Sequence, residues 1–267
     1  MIEENIQNVT LIYEPAEQHD ADVVKNAITR CSQVCLDVWG LKTPADAWVV
    51  LMTDWEMFLD VAMPPNWRFQ KWFIKRFQGS RFEQIWQVAG GWNQSFGKRV
   101  VTGVKPGRLI AQADRRIGEK IFVMESEIDQ KVYSVTCHEL THAFSDHLKL
   151  PAWLHEGLAM RTADLCMDRE TVLPETLNLL KDSMKGRITR YDLQDENALV
   201  LLYVRSYWLI RWLEAEKLET LKRWLQRSMR PTELEKQLAA ALDLPLTDLW
   251  GRMDAFLWEY FEKRISQ

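Results

Sequence analysis

The chain has 267 residues, 47% of them hydrophobic and 27% charged, with a net charge of −4 at neutral pH. This composition supports a substantial core and excludes an intrinsically disordered chain, while the mild acidic balance gives no electrostatic reason to expect nucleic acid as a partner. Four cysteines are too few for a disulfide framework.

Met1-Ile2-Glu3-Glu4-Asn5 has neither the basic start nor the apolar stretch of a signal peptide. Apolar runs such as Ala198 to Val204 are far too short to span a bilayer. A cytoplasmic location is the expectation.

In chain order, Val9 to Tyr13 is β-branched and aromatic, stops at Glu14-Pro15, and reads as a strand. Asp20 to Trp39 has helical periodicity, with Asp20 as N-cap and Gly40 as the stop. Within it Cys31 and Cys35 lie one turn apart and can touch; they read as packed thiols, as do Cys137 and Cys166. Trp48 to Met52 follows the Pro44 turn as a second, buried strand.

Trp55 to Trp92 is dense in aromatic residues, interleaved with Arg68, Lys71, Lys75, Arg76 and Arg81. It reads as an amphipathic helical excursion packed over the strands. Two sharper readings are a substrate-gripping lid hinged at Gly90-Gly91 and, behind it, a membrane-surface contact. Arg99 to Val104 and Arg108 to Gln112 flank Lys105-Pro106-Gly107 as a hairpin, and Ile121 to Met124 is a further strand.

Ser126 then reads as an N-cap, with Asp129 completing a capping-box-like start to a helix that runs to about His147. Pro151 separates it from the next helix. From there the pattern is helical: Leu177 to Met184, Ala198 to Glu216, Glu219 to Met229, Glu233 to Leu242 with Thr232 and Glu235 as a capping box, and Asp248 to Lys263. Trp208, Trp212 and Trp224 recur at helical spacing and read as packing residues. An early α/β half, residues 1–148, and a late helical half, residues 149–267, make an α+β arrangement with the histidine-rich helix at the junction.

That helix carries His138-Glu139-Leu140-Thr141-His142. Residues four apart on a helix face the same way, so both imidazoles can reach one metal ion, and Glu139, about 100° round from His138, flanks it. A hydrolytic zinc ion takes three protein ligands and leaves one position for water, whose proton a nearby carboxylate accepts. His147 is about 180° round the helix from His138 and points away. His155 and Glu156, adjacent on the next helix, can each supply the third ligand. Together the segments imply a zinc hydrolase.

The run CHELTHAFSDHLKLPAWLHEGLAM, residues 137–160, resembles the gluzincin peptidases, and among them the peptidase MA-like group, whose HExxH helix is followed by a P-x-W-L-x-E-G-x-A segment. Looser likenesses lie at Gly40 to Pro44, Leu202 to Tyr207 and Leu246 to Trp250. The resemblance implies a zincin-like fold: an N-terminal α/β subdomain with a mixed sheet and the HExxH helix, and a C-terminal helical subdomain that brings the third ligand. It implies one Zn2+ on His138, His142 and Glu156, with Glu139 as general base. It also implies an oxyanion donor on a later helix; Tyr203 is the candidate, with Tyr207, Arg205 and Arg211 as alternatives. The substrate would be a peptide or protein lying extended along a sheet edge, to which Ile121 to Met124 would belong. The activity expected is that of a zinc metallopeptidase. The alternative is a catalytically silent zincin-fold binding or regulatory protein, against which an intact Glu139 argues.

Overall fold

A two-residue turn begins the sheet. Gln7 and Asn8 both have positive φ, 49° and 69°, the turn geometry whose twist matches a hairpin. It pairs β1 (Ile2–Ile6) antiparallel with β2 (Val9–Tyr13). The structure, a computed structural model, describes residues 1–110, 115–181, 186–188, 192 and 195–265.

After β2 comes α1 (Gln18–Val34), continued by a wide π turn to Trp39 and closed by Gly40 in the left-handed region at φ 72°. β3 (Ala47–Leu51) follows. Then come α2 (Trp55–Ala62), α3 (Arg68–Phe77) and α4 (Gly79–Val88). The Asp54 carboxylate caps α2 by accepting from the Met57 amide at 2.7 Å. β4 (Gly91–Phe96) and β5 (Arg99–Val104) form a second hairpin that turns at Gly97, φ 69°.

The sheet is mixed, in the order β1-β2-β3-β5-β4. Its inner pairs β2/β3 and β3/β5 are parallel and its outer pairs antiparallel. Strand alternation gives the two faces different jobs. Val50, Met52, Val101 and Phe96 join Trp55, Phe58 and Leu59 of α2 in one apolar cluster, with Trp67, Ile74, Phe82, Trp86 and Trp92 packed against it. Lys105 seals the cluster's rim: its buried amine lies 4.4 Å from the centre of the Trp86 ring, and burial lowers its pKa.

The remaining helices are α5 (Gly107–Ile110), α6 (Arg115–Ile121), α7 (Ile128–Ser145), α8 (Ala152–Met167), α9 (Asn178–Lys181), α10 (Glu196–Trp224), α11 (Pro231–Ala241) and α12 (Leu249–Ile265). α10 breaks at Lys217, φ −141°, where the sequence pattern separates two helices. The described residues contain no helix long and apolar enough to cross a membrane.

Two compact units emerge, the first comprising Met1–Arg115, Met124–Asp146 and Thr162–Arg169 and the second the rest. In the first, α1 and α7 pack on each other and α7 packs on β4 and β5. His19 of α1 meets the Asp129 carboxylate of α7 at 2.9 Å, a hydrogen bond that raises the imidazole's pKa. In the second, α10 is central. Arg205 makes a bidentate pair with Asp254 of α12, at 2.7 and 2.6 Å, with both side chains nearly sealed from solvent. The Trp208 indole donates to the Thr176 hydroxyl at 3.1 Å.

Several expected elements differ. Arg108 does not open a strand: Gly107–Ile110 is a helical turn, and Gln112 lies outside the described residues. The antiparallel hairpin partner of β5 is β4, so Lys105-Pro106-Gly107 is no hairpin turn. Ile121 ends α6, and Phe122 makes only an isolated bridge with Val172. The N-cap of α7 is Glu127, not Ser126, because Asp129 is engaged by His19 rather than by its own helix start. α11 starts from Arg230 with Pro231 in its first turn and no side-chain cap, so Thr232 lies inside the helix rather than at its cap. Asp20 likewise lies inside α1; its carboxylate accepts from the Gly107 amide at 3.0 Å. Of the helix expected over Leu177 to Met184, residues 178–181 are helical and 182–184 lie outside the described residues.

Candidate metal centre

α7 is seated by its non-polar and hydroxyl face. Val132, Leu140 and Phe144 are buried. The buried hydroxyls of Thr136, Thr141 and Ser145 each donate to the carbonyl one turn back, at 2.7, 2.8 and 2.8 Å, so no polar atom is stranded by that packing. With this face fixed inward, the helix period leaves His138 and Glu139 half-buried and His142 just below the surface at 7% exposure.

The two imidazoles converge. Their Nε2 atoms are 3.1 Å apart, with the rings at 89° to each other. Two nitrogens bound to one tetrahedral zinc at their usual lengths are about 3.3 Å apart. Glu156, on the first turns of α8, brings a carboxylate oxygen to the same point: one ligand atom from each of His138, His142 and Glu156 lies within 4.8 Å of the others. Two imidazole nitrogens and a carboxylate oxygen are a donor set suited to zinc. Neither His147 nor His155 belongs to this group; His147 is exposed in the turn after α7, and His155 is half-buried on α8.

Glu139 is held by a residue with no side chain. Gly91, the first residue of the edge strand β4, lies so close that a Cβ on it would be 2.4 Å from the Glu139 Cγ. The same face of β4 stays small and polar along its length. Asn93 donates to the Thr102 hydroxyl at 3.3 Å, and the Ser95 hydroxyl donates to Asp146 at 2.7 Å, at the end of α7. The two glycines that the sequence offers as a lid hinge, Gly90-Gly91, are engaged in backbone pairing. Gly91 pairs with Val104 in the sheet, and the Gly90 carbonyl accepts from the Lys105 amide at 3.1 Å.

Tyr203 is half-buried on α10. The alternatives for its expected role have other work. Tyr207 is fully buried against Trp208, with ring centres 5.4 Å apart. Arg205 is bound to Asp254. Arg211 pairs with Glu170 at 2.7 Å and lies over the Trp208 ring.

A second group of metal-capable atoms lies deeper. Cys31 of α1, Cys137 of α7 and Cys166 of α8 bring their sulfurs within 4.8 Å of one another, and Cys35 lies 3.8 Å from Cys31. All are buried and unbridged. Burial pushes the Cys137 thiol well up. Buried and unbridged, they pack as small apolar groups. Comparison of the chain with protein-family models, with curated proteins and with solved structures finds no match.

Proposed function

We propose that the chain is a zinc-dependent peptidase of gluzincin type. The observation that carries the reading is the convergence of His138, His142 and Glu156 on one point, with Glu139 next in sequence to the first of them. Zinc held there would supply Lewis acidity, bringing the pKa of water towards neutrality and polarising a scissile carbonyl.

The chain's own residues would do the rest. Glu139 takes a proton from the attacking water on its carboxylate and returns it to the leaving amine. Gly91 gives that carboxylate its room. β4 lies at the edge of the sheet, and an extended peptide can add to such an edge through main-chain hydrogen bonds; this replaces Ile121 to Met124 as the recognition strand. Tyr203 is the proposed donor to the developing oxyanion. A carboxylate beside a ligand histidine favours turnover over a purely structural or regulatory zinc site.

The test is paired. Glu139→Gln should keep one zinc per chain while peptide hydrolysis falls by about a thousandfold; hydrolysis at the wild-type rate would refute the mechanism. Glu156→Ala should lose most of its zinc by elemental analysis while His155→Ala keeps it, and the reverse result would reassign the third ligand.

A further inference from the structure

α3 is turned inside out. On an amphipathic surface helix the apolar stripe faces the core and the charged face meets water. Here Lys71 and Lys75 point inward. Lys71 donates to the Asp60 carbonyl at 3.0 Å, and Lys75 reaches Asp60 and Glu56 of α2 at 3.0 and 3.2 Å. Only Ile74 of this helix packs against the apolar cluster beneath.

The aromatic face looks out. Phe69, Trp72, Phe73 and Phe77, at the i, i+3, i+4, i+8 spacing of one stripe, are 71%, 55%, 42% and 60% exposed. The rings touch one another. Phe69 and Trp72 have centres 5.9 Å apart, Trp72 and Phe77 5.9 Å, and Phe73 and Phe77 5.0 Å. A contiguous exposed stripe of this kind marks an interaction surface.

Charge selects the occupant. Arg68 and Arg76 lie on the same helix and Arg81 at the start of the next, all exposed, while the acidic residues of α2 are drawn to the inward lysines. Arg76 borders the stripe, its guanidinium 5.7 Å from the centre of the Phe77 ring, and with Arg68 and Arg81 nearby in sequence it gives the stripe a basic rim. A second copy would bring the same basic rim and be repelled. An anionic lipid surface would complement it, with the rings entering the boundary between headgroups and acyl chains and the guanidinium groups on the phosphates.

We propose that α3 docks this chain onto anionic membrane surfaces. The proposal is independent of the zinc site. The test is sedimentation with vesicles of phosphatidylcholine, with and without about a third phosphatidylserine. Wild-type chain and Glu139→Gln should both bind the anionic vesicles, weakening as salt rises. A Phe69→Ser, Trp72→Ser, Phe77→Ser triple variant, altered only at exposed positions, should lose binding. Arg68→Glu, Arg76→Glu, Arg81→Glu should lower affinity by about a hundredfold with the rings intact. Trp72→Ser alone should remove a blue shift in tryptophan emission on binding.

Three results would overturn the proposal. The wild-type chain could fail to bind anionic vesicles, or the aromatic variant could bind as tightly as wild type. Alternatively, the stripe could mediate self-association in lipid-free solution while vesicles stay unbound, which would make it a protein interface.

Discussion

Gly91 decides how much room Glu139 has. A methyl there would lie 2.4 Å from Cγ and 3.0 Å from the carboxylate carbon, so Gly91→Ala cannot be absorbed by the far end of a flexible chain alone. The glutamate must swing out of its seat, whereas His138 and His142, held by the buried face of α7, need not move. On the proposed mechanism, Gly91→Ala should therefore lower kcat/KM on a peptide by about a hundredfold and leave zinc content at one per chain. Loss of zinc alongside activity would mean that β4 supports the metal ligands and not the base. The two histidines are legible in the sequence because their relation is local, four residues along one helix. The close approach of positions 91 and 139 is not, because it depends on which strand becomes the sheet's edge.

Helix spacing is likewise set by an absent side chain. A Cβ on Gly157 of α8 would lie 2.3 Å from the Ser206 carbonyl oxygen and 2.6 Å from Ile210 of α10, and a backbone carbonyl inside a helix has nowhere to go. Gly157→Ala should cost about 2 kcal/mol of stability, the overpacking penalty outweighing alanine's better helix propensity; a lower urea midpoint at unchanged slope would show it. A more stable variant would mean that α8 and α10 can part at little cost. Among the elements, the long helices were legible because their apolar period runs for many turns, as in Ala198 to Glu216. β1 was not: Ile2-Glu3-Glu4-Asn5-Ile6 is a strand by virtue of the Gln7-Asn8 turn, and its glutamates suit a helix as well. β4 was hidden in an aromatic run whose Trp92 and Phe96 look like a continuation of the helical excursion. Helix starts failed where a cap side chain had a better partner far along the chain, as Asp129 has in His19.

For the molecule as a whole, a ligand that binds only the folded chain stabilises it by mass action. Zinc at about a thousandfold over its dissociation constant would add about 4 kcal/mol, which for a chain of this size is a rise in Tm of about 10 °C. Scanning calorimetry with zinc and with chelator should show that shift in wild type and lose it in His142→Ala. A shift that survives His142→Ala would place the metal elsewhere, and the buried sulfurs would be the next place to look. Those sulfurs carry a further consequence for the whole chain. Every cysteine it has is shut inside, and burial pushes the Cys137 thiol well up, towards the protonated form that neither alkylating agents nor peroxide attack readily. The cysteines of the folded protein are in that sense shielded from redox conditions. Its thiols become reactive only in the moments when α1, α7 and α8 separate, so oxidation of its cysteines would be gated by that opening.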